Sequence, residues 1–238
     1  MSDGSLNPDD LLRRSPVYRE LAAAGASFVE ANGGAIAEGF GPNIDAEIAV
    51  AKRLALADLS LLPHFGFKGR ETVDWLRSQG VDVGDQDNLA YRQMDGALAA
   101  KLAPREVLLV SDVAGSSDVC HRLADTASID EEIEAFPVPR GDGYFWFLVS
   151  GAHAGAMFAK ICGVDLRPEK IPQLEIAQTS VARMNVVIIR DNLGDTPAYH
   201  VLGEVASASY LWTCLRDAME EFGGDLIGHR AVKNLAGL

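Results

Sequence analysis

The sequence predicts an α+β protein built from two related halves, because one ground plan occurs twice along the chain. In each copy a β-like run enters a glycine turn, a helical run with one apolar face follows, and a Gly-Val-Asp segment leads to further strands. The copies begin near Phe65 and Phe147, about eighty residues apart. Apolar residues in the helical runs recur at intervals of three and four. We therefore expect halves at about 58–125 and 140–225 within one domain, 15–238.

The composition is that of an ordinary globular protein with an acidic surface. The chain has 238 residues, of which 48% are hydrophobic, enough to fill a real core. Its 34 acidic and 21 basic residues give a formal net charge of −13, which argues against nucleic acid or an anionic membrane as a partner. The three cysteines form no CxxC pair and suit a reducing cytosol. With no signal peptide and no membrane-spanning apolar run, we expect a cytoplasmic protein.

The N-terminal quarter predicts a tail and two helices. Residues 1–14 are polar and charged, so we expect a flexible tail that could dock a partner. Ser15-Pro16 is a typical helix start, and Gly25 is a typical stop. The glycine-rich stretch 28–41 has no Gly-x-Gly-x-x-Gly register and no Walker lysine, which excludes a nucleotide loop. Pro42-Asn43 predicts the cap of the second helix.

The first half predicts a strand, a helix, a polar loop and two further strands. The strand covers 61–68 and contains His64, which as a lone histidine we interpret as structural. We interpret 83–94 as a solvated loop, since its aspartates lack the spacing of a calcium loop. Strands at 97–102 and 107–113 flank a turn of Pro and charged residues. A helix capped by Ser116 or Ser117 follows.

The second half begins after an acidic run, 130–134, which we interpret as a solvated face. The aromatic run 144–149 is typical of a strand that is covered on both faces, and Ser150-Gly151 predicts a tight turn into a helix. The segment 181–189 predicts one long strand, with 199–202 as its partner. Ser207 is expected to cap the last long helix, which Gly223-Gly224 ends.

The sequence contains no recognisable catalytic constellation or metal-binding motif. There is no Gly-x-Ser-x-Gly elbow, no His-Glu-x-x-His pair, no P-loop and no His/Cys set at metal spacing. Gly151-Ala152-His153-Ala154-Gly155 has histidine in place of a nucleophile, and a tight turn accounts for it without chemistry. From the residues alone, we therefore predict neither a catalytic residue nor a metal ligand.

Several short motifs, in a fixed order, carry a family resemblance. They are Arg14-Ser15-Pro16, Ala57-Asp58-Leu59-Ser60, Ser150-Gly151-Ala152-His153-Ala154, Val164-Asp165-Leu166-Arg167-Pro168 and Ala177-Gln178-Thr179-Ser180-Val181-Ala182-Arg183. Together they resemble the folate-binding aminomethyltransferase superfamily of the glycine-cleavage T-protein. Within it the chain is most similar to the sarcosine oxidase gamma subunit family. The resemblance covers roughly 14–232 and implies two ferredoxin-like halves of the aminomethyltransferase folate-binding fold, without a C-terminal barrel.

The same resemblance places a folate pocket at the end of the long strand. In relatives a glutamate there binds the pterin ring by paired hydrogen bonds; ungapped alignment puts Thr196 at that position, with Asp195 beside it as a possible substitute. Arg190 and Tyr199 match the motif's arginine and phenylalanine. Relatives also carry an aspartate after an earlier strand, where this chain has Ala99 and Ala100. An alanine can neither orient nor deprotonate a folate amine. The four residues Arg190, Asp195, Thr196 and Tyr199 therefore predict a vestigial folate pocket.

These departures lead to a ranked set of hypotheses. The first is a non-catalytic gamma subunit of a heterotetrameric sarcosine oxidase-like complex that oxidatively demethylates an N-methyl amino acid. The resemblance implies alpha, beta and delta subunits as partners, with FAD, FMN, NAD and folate held by the alpha and beta subunits. It also leaves tetrahydrofolate open as a cofactor of this chain. The second is a stand-alone tetrahydrofolate-dependent aminomethyl- or methyltransferase, in which Asp195, Glu204 or Asp58 would replace the missing carboxylates. The third is a folate-fold scaffold or repair protein, although the iron–sulfur-assembly motif Lys-Gly-Cys-Tyr/Phe-x-Gly-Gln-Glu is absent.

A separate hypothesis concerns Arg183, the last residue of the Gln-Thr-Ser-Val-Ala-Arg element. In an acidic protein we expect its guanidinium to pair with a carboxylate, either in the core or at a subunit interface.

Overall fold

A computed structural model describes residues 6–126 and 133–238 of the chain. Seven α-helices lie within these ranges: α1 Tyr18–Ala23, α2 Ile44–Arg53, α3 Thr72–Ser78, α4 Val119–Thr126, α5 Ala154–Phe158, α6 Ala208–Met219 and α7 His229–Leu235. None of these helices is long and apolar enough to cross a membrane. The predicted cap of α2 is confirmed, since the Asn43 side chain accepts hydrogen bonds from the amides of Asp45 and Ala46.

Fourteen strands are present in the same described ranges. In the first part of the chain they are β1 Arg13–Arg14, β2 Ser27–Ala31, β3 Gly34–Gly39, β4 Ala55–Asp58, β5 His64–Lys68, β6 Leu89–Arg92, β7 Leu98–Ala103 and β8 Glu106–Val110. In the second part they are β9 Phe136–Pro139, β10 Tyr144–Ser150, β11 Ile176–Val181, β12 Met184–Arg190, β13 Ala198–Glu204 and β14 Asp225–Leu226. The predicted α+β class is confirmed.

The predicted repeat is visible in the two large sheets. One has the order β6-β7-β8-β5-β9, and the other has the order β11-β12-β13-β10-β4-β14. In chain order, β5-α3-β6-β7-β8-α4 matches β10-α5-β11-β12-β13-α6 element by element. Apart from the parallel pair of β4 and β14, neighbouring strands in both sheets are antiparallel. Each half is therefore a four-stranded antiparallel unit with two helices.

The two halves exchange their fifth strands. β4 lies just before the first half in sequence, but it pairs with β10 of the second half. Conversely, β9 lies just before the second half, but it pairs with β5 of the first half. Because each sheet contains a strand from the segment that precedes the other half, neither half is complete as a continuous stretch of chain.

The two sheets pack face to face and helices cover their outer faces. Strand β10 shows why: Phe145 and Phe147 point into one apolar cluster and Trp146 and Leu148 into another, as pleat alternation requires. All six residues 145–150 of this strand are buried, which confirms the prediction of a strand covered on both faces. The inner cluster between the sheets includes side chains of β7, β8, β12 and β13, and α7 closes one side of it.

The halves also meet edge to edge, through β6 and β11. Leu89 and Glu175 form an antiparallel bridge, and the amide of Ala90 donates to the carbonyl of Leu174 over 2.8 Å. The Gln178 side chain crosses the same junction and donates to the carbonyl of Leu102 over 2.6 Å. Because β6 and β11 are equivalent strands of the two halves, a pseudo-twofold axis passes between them.

Residues 6–14 of the predicted tail contact the domain; residues 1–5 lie outside the described part of the chain. The amide of Leu6 donates to the carbonyl of Phe28, and β1 pairs with β3 in a small three-stranded sheet. The Arg13 guanidinium donates to the carbonyl of Leu61 over 3.1 Å. The polar composition of this segment did not predict these contacts, because backbone amides and the Arg13 side chain make many of them.

Two further predictions need correction. Residues 89–92 of the predicted solvated loop form β6, a strand of only four residues in which Ala90 alone is buried. The predicted long strand 181–189 is a hairpin of β11 and β12, turned at Ala182 and Arg183 with φ of 48° and 69°. Non-glycine residues rarely adopt this left-handed conformation, so the sequence carried no turn signal there. Arg183 is exposed on the turn and makes no ion pair within the described residues, which removes the core version of its predicted role.

The acidic run 130–134 lies mostly outside the described residues. Two of the three aspartates considered for a calcium loop form ion pairs: Asp85 pairs with Arg77 and Asp87 with Lys101. Asp82 contacts Gln93 through its backbone. Among residues 6–126 and 133–238, no three His, Cys, Asp or Glu side chains are grouped as they would be around a metal ion.

Candidate functional site

A polar cavity of about 420 Å³ lies where the two halves face each other. The β6–β7 turn and the segment after β8 form one wall, and the β12–β13 loop with the C-terminal residues forms the other. Its polar lining includes Arg92, Asp95, Ser111, Asp112, Gln173, Asp191, Asn192 and His200. A cavity of this size can hold a small molecule.

Asp191 and Arg92 join the two walls of this cavity. Asp191 follows β12 in the second half, and its carboxylate is almost fully buried, with 6% of the side chain exposed. Oδ1 accepts a short hydrogen bond from Arg92, which ends β6 in the first half. Burial alone raises the pKa of Asp191, but His200 and Arg92 outweigh it and hold the pKa below its usual value. The carboxylate is therefore ionised and paired across the half–half boundary.

His200 has its tautomer fixed by Trp146. The indole Nε1–H of Trp146 donates to Nδ1 of His200 over 3.0 Å. Because that nitrogen accepts, the hydrogen of the neutral imidazole must be on Nε2. Nε2 lies 3.6 Å from Oδ2 of Asp191, which is longer than a hydrogen bond but close enough for the N–H dipole to stabilise the ionised carboxylate.

Asp112 and Asp95 are held by backbone and serine donors. Oδ1 of Asp112 accepts from the amides of Ser116 and Ser117, each over 2.7 Å, and Oδ2 accepts from the Ser116 hydroxyl over 2.8 Å. Burial alone raises the pKa of Asp112, but these hydrogen bonds outweigh it and lower the pKa. Asp95 accepts from the Ser117 hydroxyl on one oxygen and from the amide of Ala97 on the other. Both carboxylates thus shape the loop after β8.

The four residues predicted to form a folate pocket do not line this cavity. Arg190 and Tyr199 are brought together as register partners on β12 and β13. Their side chains hold the 166–171 segment instead: Nη1 of Arg190 donates to the carbonyls of Pro168 and Ile171, and the Tyr199 hydroxyl donates to the carbonyl of Leu166 over 2.6 Å. Burial raises the pKa of Tyr199, as expected for a phenol in the core.

The other two predicted residues lie in the loop between β12 and β13. Thr196 is buried and exchanges two backbone hydrogen bonds with Leu193, which closes a tight turn. Asp195 is exposed beside it. The four predicted residues are therefore divided between a core contact and a surface turn.

Strand geometry explains this division. Successive side chains of a strand point to opposite faces, so Arg190 and Asp191 face different sides, as do Tyr199 and His200. The cavity-facing members are Asp191 and His200. The predicted residues Arg190 and Tyr199 are thus each one position away from a residue that lines this cavity. The two consecutive polar residues Arg190 and Asp191 are the sequence feature that could have indicated Asp191 as a cavity residue.

The carboxylates considered as replacements are also placed elsewhere. Asp58 is buried on β4, where Ser60 donates to it from its amide and its hydroxyl. Burial raises the pKa of Asp58, and hydrogen bonds from Ser15 and Ser60 only partly oppose this. Glu204 is exposed at the end of β13, and it borders a different cavity. Ala99 and Ala100 are fully buried on β7 and place no carboxylate there.

Comparison with known proteins agrees with this architecture. The fold defines a class of α+β proteins with two strand-exchanged halves and a cavity between them. The chain belongs to the GCVT N-terminal domain family, whose model matches residues 17–236. No curated protein matches the chain.

Two solved structures are similar in fold. Glycine cleavage system aminomethyltransferase T from Bartonella henselae superimposes with a TM-score of 0.73 at 16% identity, over 95% of this chain and 63% of that one. This chain thus spans less than two thirds of that relative. Heterotetrameric sarcosine oxidase from Corynebacterium sp. U-96, in complex with pyrrole 2-carboxylate, superimposes with a TM-score of 0.66 at 19% identity, over 90% of this chain and 97% of the matched chain.

The carboxylates of the cavity are already engaged by protein donors. The pterin recognition that the family resemblance implies uses both oxygens of one carboxylate as acceptors. Both oxygens of Asp112 and of Asp95 accept from the protein, and Oδ1 of Asp191 accepts from Arg92. Because a carboxylate oxygen can accept a second hydrogen bond, a pterin would share these oxygens with the protein donors.

Proposed function

We propose that this chain is a non-catalytic gamma-type subunit of a hetero-oligomeric, sarcosine oxidase-like complex. Such a complex oxidatively demethylates an N-methyl amino acid in the cytoplasm and transfers the one-carbon unit to tetrahydrofolate. Its alpha and beta subunits hold FAD, FMN, NAD and tetrahydrofolate beside a delta subunit, while this chain contributes a folded surface.

The observation that carries the proposal is that the carboxylates lining the cavity already have partners within the protein. Asp191 pairs with Arg92 across the two halves, and Asp112 accepts from Ser116 and Ser117 within the first half. A catalytic group must be able to reach a substrate atom and exchange a proton with it. Because the described residues of the lining include no cysteine or lysine and its Asp191 carboxylate is paired with Arg92, the geometry supports assembly better than turnover.

The likeness in fold supports the same proposal. The chain superimposes with a TM-score of 0.66 on a chain of a heterotetrameric sarcosine oxidase, so its fold is one that occurs within an assembled oxidase.

A stand-alone aminomethyl- or methyltransferase is the alternative. It needs a carboxylate that can approach folate, and Asp58, Asp195 and Glu204 all lie away from the lining of the cavity between the halves. Transferase activity would therefore require a rearrangement that frees Asp191 from Arg92.

Native mass spectrometry tests the proposal. The tagged chain is recovered from its own cells at low salt, and the intact assemblies are weighed together with their cofactors. The expected result is a fixed-ratio complex with larger, flavin-bearing chains. Recovery of the chain alone, together with tetrahydrofolate binding by the pure chain in calorimetry, would instead establish the transferase.

Arg92→Ala supplies a matched control for the calorimetry. If the chain is an accessory subunit, neither the wild type nor Arg92→Ala binds tetrahydrofolate at micromolar concentration. Binding by the variant only would show that the Arg92–Asp191 pair blocks a pocket that is otherwise intact.

A further inference from the structure

A groove with a volume of about 680 Å³ lies on the outer side of the second half. It runs between α1 and α6 and ends beside β14. Its floor is apolar and includes Phe40, Trp212 and Leu226, while Ala23 and Ala24 form one wall. A smaller depression beyond Met219 continues it.

The rim of the groove is strongly acidic. Glu20, Asp217, Glu220 and Asp225 line it, and Arg216 is the one cationic side chain of the lining. Asp217 and Glu220 are exposed, and neither forms an ion pair within the described residues. They lie at the C-terminal end of α6, where the helix carbonyls add further negative potential.

Trp212 supplies an independent sign that the groove is incomplete. Its side chain is 1% exposed, and Nε1–H has no hydrogen-bond partner within residues 6–126 and 133–238. The ring packs edge-to-face on Phe147 at 5.0 Å, which fixes its position against the core. Buried indole N–H groups normally find an acceptor. An acceptor brought by another molecule would complete this site.

We propose that the groove between α1 and α6 docks a lysine- or arginine-bearing segment of a partner chain. The proposal rests on the assembly role proposed above and names the surface that mediates it. Basic side chains of the segment pair with Asp217, Glu220 and Asp225, and a backbone carbonyl of the segment accepts from Trp212 after a small adjustment at the groove floor.

The observations favour a segment of another protein over other occupants. Asp217, Glu220 and Asp225 of the rim are exposed along the groove, whereas a small-molecule site encloses most of its ligand. A nucleic acid would be repelled by the acidic rim. A second copy of this chain would bring the same net charge of −13 to an already acidic surface.

The test uses the complex recovered from the protein's own cells. A carbodiimide, which joins a carboxylate to an amine in direct contact, is added to the wild-type complex, and the cross-linked peptides are mapped by mass spectrometry. The expected cross-links join Asp217 or Glu220 to a lysine in a basic segment of the partner. In parallel, the variant Asp217→Lys/Glu220→Lys should retain at least tenfold less partner, and wild-type retention should fall as salt rises.

Lysines suit the C-terminal turn of a helix, so the variant should keep its fold, and circular dichroism checks this. If it does not fold, Asp217→Asn/Glu220→Gln replaces it. The matched control is Asp74→Lys/Asp125→Lys, which makes the same change of charge on exposed residues of α3 and α4 and should retain the partner in full.

The outcomes separate the two proposals. A partner that the groove variant retains at the wild-type ratio, with no cross-link from α6, overturns the groove and leaves the subunit role intact. A groove-dependent partner without flavin supports the groove and overturns the oxidase role. Recovery of the wild-type chain alone overturns both.

Discussion

Trp146 and His200 form a buried side-chain hydrogen bond of 3.0 Å, and both residues are at most 1% exposed. A second hydrogen bond holds Trp146, because its backbone amide donates to the Ser60 hydroxyl over 3.0 Å. That hydroxyl in turn donates to Asp58. A continuous set of polar contacts therefore runs from β4 through β10 to the cavity, inside an otherwise apolar layer.

Trp146→Phe should destabilise the protein more than Trp212→Phe. Both substitutions remove the same atoms from a fully buried indole, but only the first leaves a partner, His200 Nδ1, without its donor. We expect a difference of about 1–2 kcal/mol in the free energy of unfolding, measured with urea. Equal losses would show that the hydrogen bond contributes nothing beyond packing.

Arg92→Ala should weaken the protein and move its acid unfolding to higher pH. The lowered pKa of Asp191 gives stability that is present above the unfolded value of 3.8 and is lost as pH falls through the folded pKa. Without Arg92 that pKa rises, so the loss begins at higher pH. Because Arg92 is 43% exposed, we expect the free energy of unfolding to fall by only about 1–2 kcal/mol at pH 7.

The control for this prediction is Arg70→Ala. Arg70 pairs with Glu134 at 3.1 Å, but both side chains are largely open to solvent, at 68% and 41% exposure. We expect the free energy of unfolding to change by no more than about 0.5 kcal/mol and the pH of acid unfolding to stay the same. Similar effects of the two substitutions would contradict the burial argument for Asp191.

Two buried histidines should make the protein less stable below neutral pH. Burial lowers the pKa of His64 and of His229, while Nδ1 of His64 donates to Leu62 and Nε2 of His229 donates to Val113. Stability from a lowered histidine pKa is present above the unfolded value of 6.5 and is lost as pH falls towards the folded value.

The measurement is the urea midpoint between about pH 7 and pH 5, the range in which an unperturbed histidine titrates. The variant His64→Asn/His229→Gln keeps a donor near each carbonyl and cannot titrate, so its midpoint should change less over this range. A variant that is as pH-sensitive as the wild type would show that other groups control the acid response.

The fold was predictable where local patterns are strong. The repeat, the cap at Asn43, and the buried aromatic strand were all visible in the sequence, because glycine turns and apolar periodicity leave local signals. The strand exchange could not be predicted, because the pairing of β4 with β10 joins residues that are far apart in the sequence. The β2–β3 hairpin could have been found, because Asn32-Gly33 is a typical hairpin turn and both residues have positive φ.

The candidate site was less predictable, for a geometric reason. Alignment identified the ends of β12 and β13, but a shift by one residue exchanges the two faces of a strand. Arg190 and Tyr199 therefore point into the core, while their neighbours Asp191 and His200 line the cavity. The Arg92 partner comes from the other half, and no sequence pattern connects it to Asp191.

The strand exchange predicts that the two halves unfold together. Trp75 lies on α3 in the first half, and Trp212 lies on α6 in the second. Single-tryptophan reporters, made by replacing the other two tryptophans with phenylalanine, should give coincident urea transitions, each compared with circular dichroism of the same variant. Separated fluorescence and circular dichroism transitions within one variant would mean that the halves unfold independently.

Gly151→Ala should be among the most damaging single-methyl changes in the chain. Gly151 follows β10 with φ of +113°, and an added Cβ would lie 2.4 Å from the carbonyl carbon of Arg53. The backbone cannot withdraw, because the amides of Ala152 and His153 donate to the carbonyls of Lys52 and Arg53 at the end of α2.

The expected loss from Gly151→Ala is about 3 kcal/mol or more in the free energy of unfolding, from strain and overpacking combined. Gly163→Ala is the matched control, since its added Cβ meets no atom within 4 Å, and it should stay within about 0.5 kcal/mol of the wild type. The turn after β10 satisfies the last carbonyls of α2, so the same substitution should also increase amide hydrogen exchange at Ala152 and His153. If the variant is destabilised but the amides of Ala152 and His153 exchange at the wild-type rate, the strain does not act at this turn and the explanation is wrong.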